Sequence, residues 1–144
     1  MEKLDRDSLY FIFLELIRVH YQSTHVLLDK IGVYPGQPPL LFILNKNDGL
    51  SQKEIADKLV IKPSTITVML KRMESGNLIY RRQDSEDQRI SRVHLTEEGR
   101  KICEKAFETT KCLQDICFKN FTAEEKIILR RLLLQMRDNL QNEF

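Results

Sequence analysis

Asp87-Gln88-Arg89 places a carboxylate two positions before a guanidinium. In extended backbone, residues two apart share a side, so Asp87 can hold Arg89 in one rotamer. A cation fixed on a projecting loop suits the minor groove of a duplex, where the potential is most negative. A second set of groups lies upstream, in the stretch "KPSTITVMLKR". Ser64, Thr65 and Thr67 are small enough to donate or accept at base edges or phosphates, and Val68 could meet a thymine methyl. Lys71 and Arg72, one turn further on, could reach phosphates, and a helix N-terminus would add its own partial positive charge. Each set also fits a blander role: the solvated face of an amphipathic helix, and a solubilising turn.

Presenting these groups takes two short helices, a turn and a hairpin, and the sequence spells them out in that order. Ser51-Gln52-Lys53-Glu54 is a capping box that starts a short helix with Ile55, Ala56 and Leu59 inward. Pro63 fits the first position of the next helix, which is expected to run to about Ser75 with Gly76 just past its end. Ile66, Met69, Leu70 and Met73 share its inner face. Leu78–Arg82 and Ile90–Leu95 are short β-like runs around a polar loop, which is a hairpin signal. These parts make a winged helix-turn-helix over residues 37–96. Longer helices frame it. The first spans about residues 8–31, capped by Asp7, and is apolar almost all round for three turns. It is therefore expected to be buried on two sides, one of them supplied by a second copy of the chain. Gly32–Pro39 is the strongest break, followed by a short buried helix over Leu40–Leu44. Thr96 can cap a long helix to about Asn120, and Thr122-Ala123-Glu124-Glu125 is a second capping box opening the last helix.

Composition bounds the classes. Apolar residues make up 42% of the 144 and charged ones 31%, the balance of one globular domain. Net charge is only +2, but residues 61–95 carry seven basic groups (Lys62, Lys71, Arg72, Arg81, Arg82, Arg89, Arg92) against four acidic. Lys62 and Arg82 thus join the same basic surface as the groups above. With five glycines, no phosphate loop, no nucleophile elbow and no zinc motif, an enzyme is not expected, nor a cofactor. His20, His25 and His94 do not cluster at metal-ligand spacing, so no metal is expected. Cys103, Cys112 and Cys117 read as buried structural thiols of a cytoplasmic protein with no secretory signal and no membrane span.

Asp87-Gln88-Arg89-Ile90-Ser91-Arg92-Val93-His94-Leu95-Thr96 resembles the D-x-R-x-x-x-V-x-L-T wing signature of the MarR family of bacterial transcription regulators. The stretch from Gly49 to Arg89 is similar to that family's DNA-binding core, and the flanking helices cover the rest of the chain. The resemblance implies a mainly α fold with a small β-hairpin wing, in a single domain over residues 1–144. Residues 1–36 and 97–144 would be dimerisation helices and 37–96 the DNA-binding core. It also implies a homodimer on a palindromic double-stranded operator. Most such proteins repress, and many release DNA when a small aromatic or anionic compound, a metal or an oxidant acts. By position, base-facing roles fall to Ser64, Thr65, Thr67 and Val68, and the minor-groove role to Arg89 with Asp87 orienting it. Lys62-Pro63 departs from the usual small capping residue, which puts a phosphate contact there in doubt. An effector would sit between the first helix and the core, near Arg18, His20, Tyr21 and Tyr34, where an arginine beside tyrosines suits an aromatic carboxylate. Arg18 could instead pair with Glu15. Two other readings stay open: a winged-helix protein-interaction module, and a thiol-based redox regulator, although no Cys precedes Cys103.

Overall fold

The computed structural model describes residues 5–143. Two compact units divide between Thr110 and Lys111.

The first unit opens with α1 (Leu9–Asp29). Its cap is Ser8 and not Asp7: Ser8 holds the extended conformation, and its hydroxyl accepts from the Phe11 N–H at 3.2 Å. Within one chain α1 buries only Leu28, and it exposes Leu9, Ile12, Leu16, Ile17 and Val26. The helix expected to be sheathed on two sides therefore has an apolar face that the rest of its unit leaves uncovered. α2 (Gln37–Lys46) starts earlier than the proline-rich spelling suggested. Pro38 and Pro39 occupy its first turn, where an N–H has no intrahelical partner and its loss costs nothing. Leu40, Leu41 and Leu44 then reach full burial.

A two-residue strand, β1 (Leu50–Ser51), leads into α3 (Gln52–Leu59). The capping box is formed in full. The Glu54 N–H donates to the Ser51 hydroxyl at 3.2 Å, and Glu54 accepts from the Ser51 N–H at 2.7 Å. Val60 ends α3 in the left-handed region at φ 54°, and α4 (Pro63–Ser75) follows with Pro63 at its start. At the other end of α4 the left-handed residue is Asn77, at φ 56°, whereas Gly76 keeps φ −82°. Asn tolerates that region because its short amide can bond locally, so Gly76 follows the last helical residue as expected while the left-handed turn falls one position later.

β2 (Ile79–Gln83) and β3 (Ser91–Leu95) form the hairpin, and β1 pairs on the far side of β3, giving the antiparallel order β1-β3-β2. The register sets Ile79 against Leu95, Arg82 against Arg92, and Ser51 against Arg92. α5 (Glu97–Cys117) is capped by Thr96, whose hydroxyl accepts from the Gly99 N–H at 2.8 Å. Leu44, Ile55, Ile66, Leu70, Val93 and Ala106 meet in a core drawn from α2, α3, α4, the sheet and the first half of α5.

The second unit holds the end of α5 and all of α6 (Ala123–Glu143). Thr122 and Glu125 form the expected capping box. α6 buries none of its side chains and exposes Ile127, Ile128, Leu132, Leu133, Met136 and Leu140. Of the three cysteines only Cys103 is buried. Cys112 and Cys117 face out from the last turns of α5, so the expectation of three interior thiols holds for one. Among the described residues, no helix is long and apolar enough to cross a membrane.

Candidate nucleic-acid interface

The sequence-selected residues of α4 lie on its outer face. Lys62, Ser64, Thr65, Thr67, Val68, Lys71 and Arg72 are all exposed, while Ile66, Leu70 and Met73 are sealed beneath them. The face is set by helical period alone: the buried positions recur at three and four residues and leave the polar ones outside. Lys62 caps α4 with backbone only and offers no side-chain cap bond. Arg72 sits over the ring of Tyr34, 5.2 Å from its centroid, which holds that guanidinium against the loop before α2. Among the described residues, no carboxylate pairs with Lys62, Lys71, Arg72 or Arg82. The outer face of α4 and the adjoining strand is therefore free positive charge over small polar groups.

Two aspartates build the wing tip. Asp84 accepts from the N–H groups of Glu86 and Asp87 at 2.9 and 3.0 Å. Asp87 in turn accepts from the Arg89 N–H at 3.0 Å and from Arg89 Nε at 3.2 Å. These are side-chain-to-backbone turns of the kind that Asp favours. The acidic residues thus fold the loop and do not merely decorate it. The Arg89 side chain stands 92% exposed with Asp87 as its ion-pair partner.

The root of the wing is bound by Arg92, which in the sequence is only one of seven basic groups over residues 61–95. Its guanidinium donates to Asp84, to the Gly49 carbonyl at 3.2 Å and to Glu54 at 3.4 Å. One side chain thereby joins the loop, the turn before β1 and the start of α3. The Asp87 N–H and the Arg92 guanidinium, with the Glu86 N–H, hold the Asp84 carboxyl down to about 2. The same neutralisation permits Arg82 and Arg92 to face each other across β2 and β3, where two bare like charges would repel. A second anchor is Asp48, which accepts from the Leu95 N–H at 3.1 Å and contacts His94 Nδ1 at 3.0 Å and Arg100 at 3.4 Å. Burial pushes the Asp48 carboxyl up, but the His94 and Leu95 hydrogen bonds and the charges of His94 and Arg100 outweigh it and leave it below its ordinary value. Sequence spacing could not reveal either anchor, because every partner but Asp84 lies 38 or more residues away.

The residues proposed for an effector are not gathered. Arg18 pairs with Glu15 at 3.5 Å and contacts Gln22, both on its own helix. Tyr21 packs edge-on against His25 at 4.6 Å, His20 is exposed, and Tyr34 lies beneath Arg72. A cavity of about 960 Å³ in the first unit lies elsewhere, lined by Ile31, Phe42, Asn45, Cys103, Phe107 and Thr110 with Glu104, Lys105 and Glu108. Phe42 and Phe107 meet edge to face at 6.1 Å. Burial, with the charge of Glu104, pushes the Cys103 thiol up, away from the reactive thiolate. Among the described residues no cluster of His, Cys, Asp and Glu could hold a metal.

The MarR family model matches residues 33–91, the span from the turn before α2 through the wing tip. The chain is 32% identical over 111 residues to the uncharacterized HTH-type transcriptional regulator YdgJ of Bacillus subtilis, covering 77% of this chain and 68% of that one. It is 34% identical over 134 residues to the HTH-type transcriptional repressor IacR of Pseudomonas putida, covering 91% and 80%. The S. aureus MepR–DNA complex shares the fold, with a TM-score of 0.80 at 23% identity over 94% of this chain and 99% of that one. A free basic face on α4, a wing folded by its own aspartates and kinship over most of the chain lead to one conclusion: the protein belongs to the MarR family of winged helix-turn-helix, DNA-binding transcription regulators, which are not enzymes.

Proposed function

We propose that the chain acts as a homodimeric, sequence-specific repressor. Each copy lays the N-terminal half of α4 in the major groove and sets Arg89 in the flanking minor groove of a palindromic operator. The observation that carries this reading is the pairing of two exposed elements: an α4 face of small polar residues and unpaired cations, and a wing tip whose one arginine projects clear of the fold. The related IacR is a repressor and the structural neighbour MepR is a DNA complex, which supports the same role here. The uncovered apolar residues of α1 and of α6 supply the dimer surface. Burying both against a second copy would remove more than about 2,000 Å² from water, the range of obligate dimers. Sedimentation at low micromolar concentration should give a dimer.

The release step is assigned to the cavity between α2 and α5. Its Phe42–Phe107 pair suits an aromatic or apolar guest, and two glutamates against one lysine disfavour a strongly anionic one. Filling it would strain the packing of α2 against α5 and shift the half-site spacing of about 34–36 Å that a dimer must match. The test is a duplex selected from a random pool by the full-length protein, bound by filter assay over a salt series. Salt-steep, site-selective binding is expected. Equal affinity for the selected and a scrambled duplex would show a general charge surface instead.

A further inference from the structure

Thr67 lies in the middle of the exposed face of α4, and its hydroxyl is already committed. Arg81 on β2 donates from Nε to Glu74 at 3.3 Å and from a terminal nitrogen to the Gln52 amide oxygen at 3.3 Å. A guanidinium can only donate, so the group facing it must be the amide oxygen, and the Gln52 NH₂ must point the other way. That NH₂ meets Thr67 Oγ1 at 2.7 Å, so the Thr67 oxygen accepts there. Its proton then goes to the Pro63 carbonyl at 2.9 Å. The polarity of the whole chain of bonds follows from one arginine. Thr67 has no proton left to give a base, and the unpartnered part of its exposed side chain is the methyl group. Its neighbour Val68 is 58% exposed and carries only methyls.

We propose that Thr67 reads a thymine methyl instead of donating to a base edge, and that Gln52, oriented by Arg81, is the positioning residue that makes it do so. The reading rests on α4 as the groove-entering helix. On that helix it divides the labour. Ser64 and Thr65 at the first turn keep free hydroxyls for polar contacts, while Thr67 and Val68 form an apolar step that fits the C5-methyl of thymine in the major groove. The sequence alone pointed to a hydrogen-bonding Thr67, because Gln52 lies 15 residues upstream and Arg81 lies 14 downstream.

The test uses the duplex selected by the full-length wild-type protein. Each thymine is replaced in turn by deoxyuracil, symmetrically in both half-sites, which removes only the methyl. One thymine per half-site is expected to show a uracil penalty, about fifteenfold for the symmetric replacement, the worth of two buried methyls at about fourfold each. In Thr67→Ser that penalty should vanish while the duplex still binds. In Thr67→Val, which keeps the methyl and drops the hydroxyl, it should persist. In Gln52→Ala it should shrink, because the side chain is free to turn. Circular dichroism melting shows that each variant is folded. A penalty that survives in Thr67→Ser, or that is lost in Thr67→Val, overturns the proposal, and an unchanged penalty in Gln52→Ala overturns the positioning role. A protein that selects no duplex at all refutes the DNA-binding reading itself, which is a different failure.

Discussion

Arg89 and Arg92 are three residues apart on the same hairpin and have opposite fates. Arg92, at the root, donates to a carboxylate on the wing loop, a second on α3 and a backbone carbonyl before β1. Arg89, at the tip, has one carboxylate, two positions away, and is otherwise in solvent. The contrast separates an arginine that the fold uses up from one that the fold presents. Charge counting sees two equal cations, whereas the bond inventory ties Arg92 to three partners and leaves Arg89 with one, its neighbour Asp87.

The root should be intolerant of change and the tip indifferent to it, and the largest effect belongs at the root. Gly99, in the first turn of α5, packs so closely under the β2 end that an added Cβ would lie 1.9 Å from the Leu78 carbonyl oxygen. Ala is the better helix former by about 1 kcal/mol, so propensity alone has Gly99→Ala stabilising. The clash is with backbone, which cannot swing aside. We expect a loss of about 3 kcal/mol, or roughly 10 °C in Tm for a chain of this size. A rise in Tm on calorimetry would mean that the root is loosely packed.

The two arginines themselves come next. Arg89→Ala should leave Tm unchanged, weaken binding of the selected duplex by about tenfold or more, and lower the salt slope by about two, roughly one for each copy of the dimer. Arg92→Ala should do the reverse in kind. Tm falls, the Glu86 and Asp87 amides exchange faster, and DNA affinity drops only as far as the wing loses its shape. Lys126→Ala, on α6, should change neither the slope nor the affinity. If both arginine variants kept native Tm and lost affinity equally, the division between root and tip would collapse.

Acid tests the root more gently. The Asp84 carboxyl is held at about 2, below the ordinary 3.8. A depressed carboxyl contributes stability that is complete above its unfolded value and is lost as pH falls through its folded one. The wing root should therefore stay intact at pH 4 and loosen only as pH drops from there through about 2. Carbon-13 titration of the Asp84 carboxyl should show a midpoint near 2 in the wild type and a higher one in Arg92→Ala. An Asp84 midpoint near 3.8 in the wild type would mean that the bonds from Arg92 and the loop amides do not persist.

What the sequence shows of this hairpin is what local chemistry writes. The capping boxes at Ser51 and Thr122, the proline that opens α4 and the alternating run before Leu95 act within a few residues, so each is legible. The Asp87–Arg89 pair is legible for the same reason. β1 was missed because two residues carry no period, and only pairing with Arg92 and Val93, some 40 residues on, makes them a strand. The roles of Arg92, Asp48 and Gln52 were missed because their partners are brought by the tertiary fold. The cavity beside Phe42 and Phe107 was missed because its walls come from two helices about 65 residues apart. Tyr34 and Arg18, read as ligand groups from their types, are engaged by Arg72 and Glu15.

The smallest effect is the most informative about the tip. Asp87 accepts two bonds from Arg89, so Asp87→Ala frees the longest side chain of the loop. Ordering such a chain on binding costs about 0.5–1.5 kcal/mol in each copy, which predicts roughly five- to hundredfold weaker binding by the dimer. The same substitution removes a negative charge beside a polyanion, which strengthens binding. The second effect is screened within about 8 Å at 0.15 M salt and reaches about 30 Å at 0.01 M. The ordering cost does not depend on salt. Asp87→Ala should therefore bind more weakly than wild type at 0.15 M and approach it, or overtake it, at 0.01 M. Parallel salt curves for the two proteins would mean that Asp87 acts only as a charge-neutral part of the turn, and that Arg89 needs no hand to hold it in the groove.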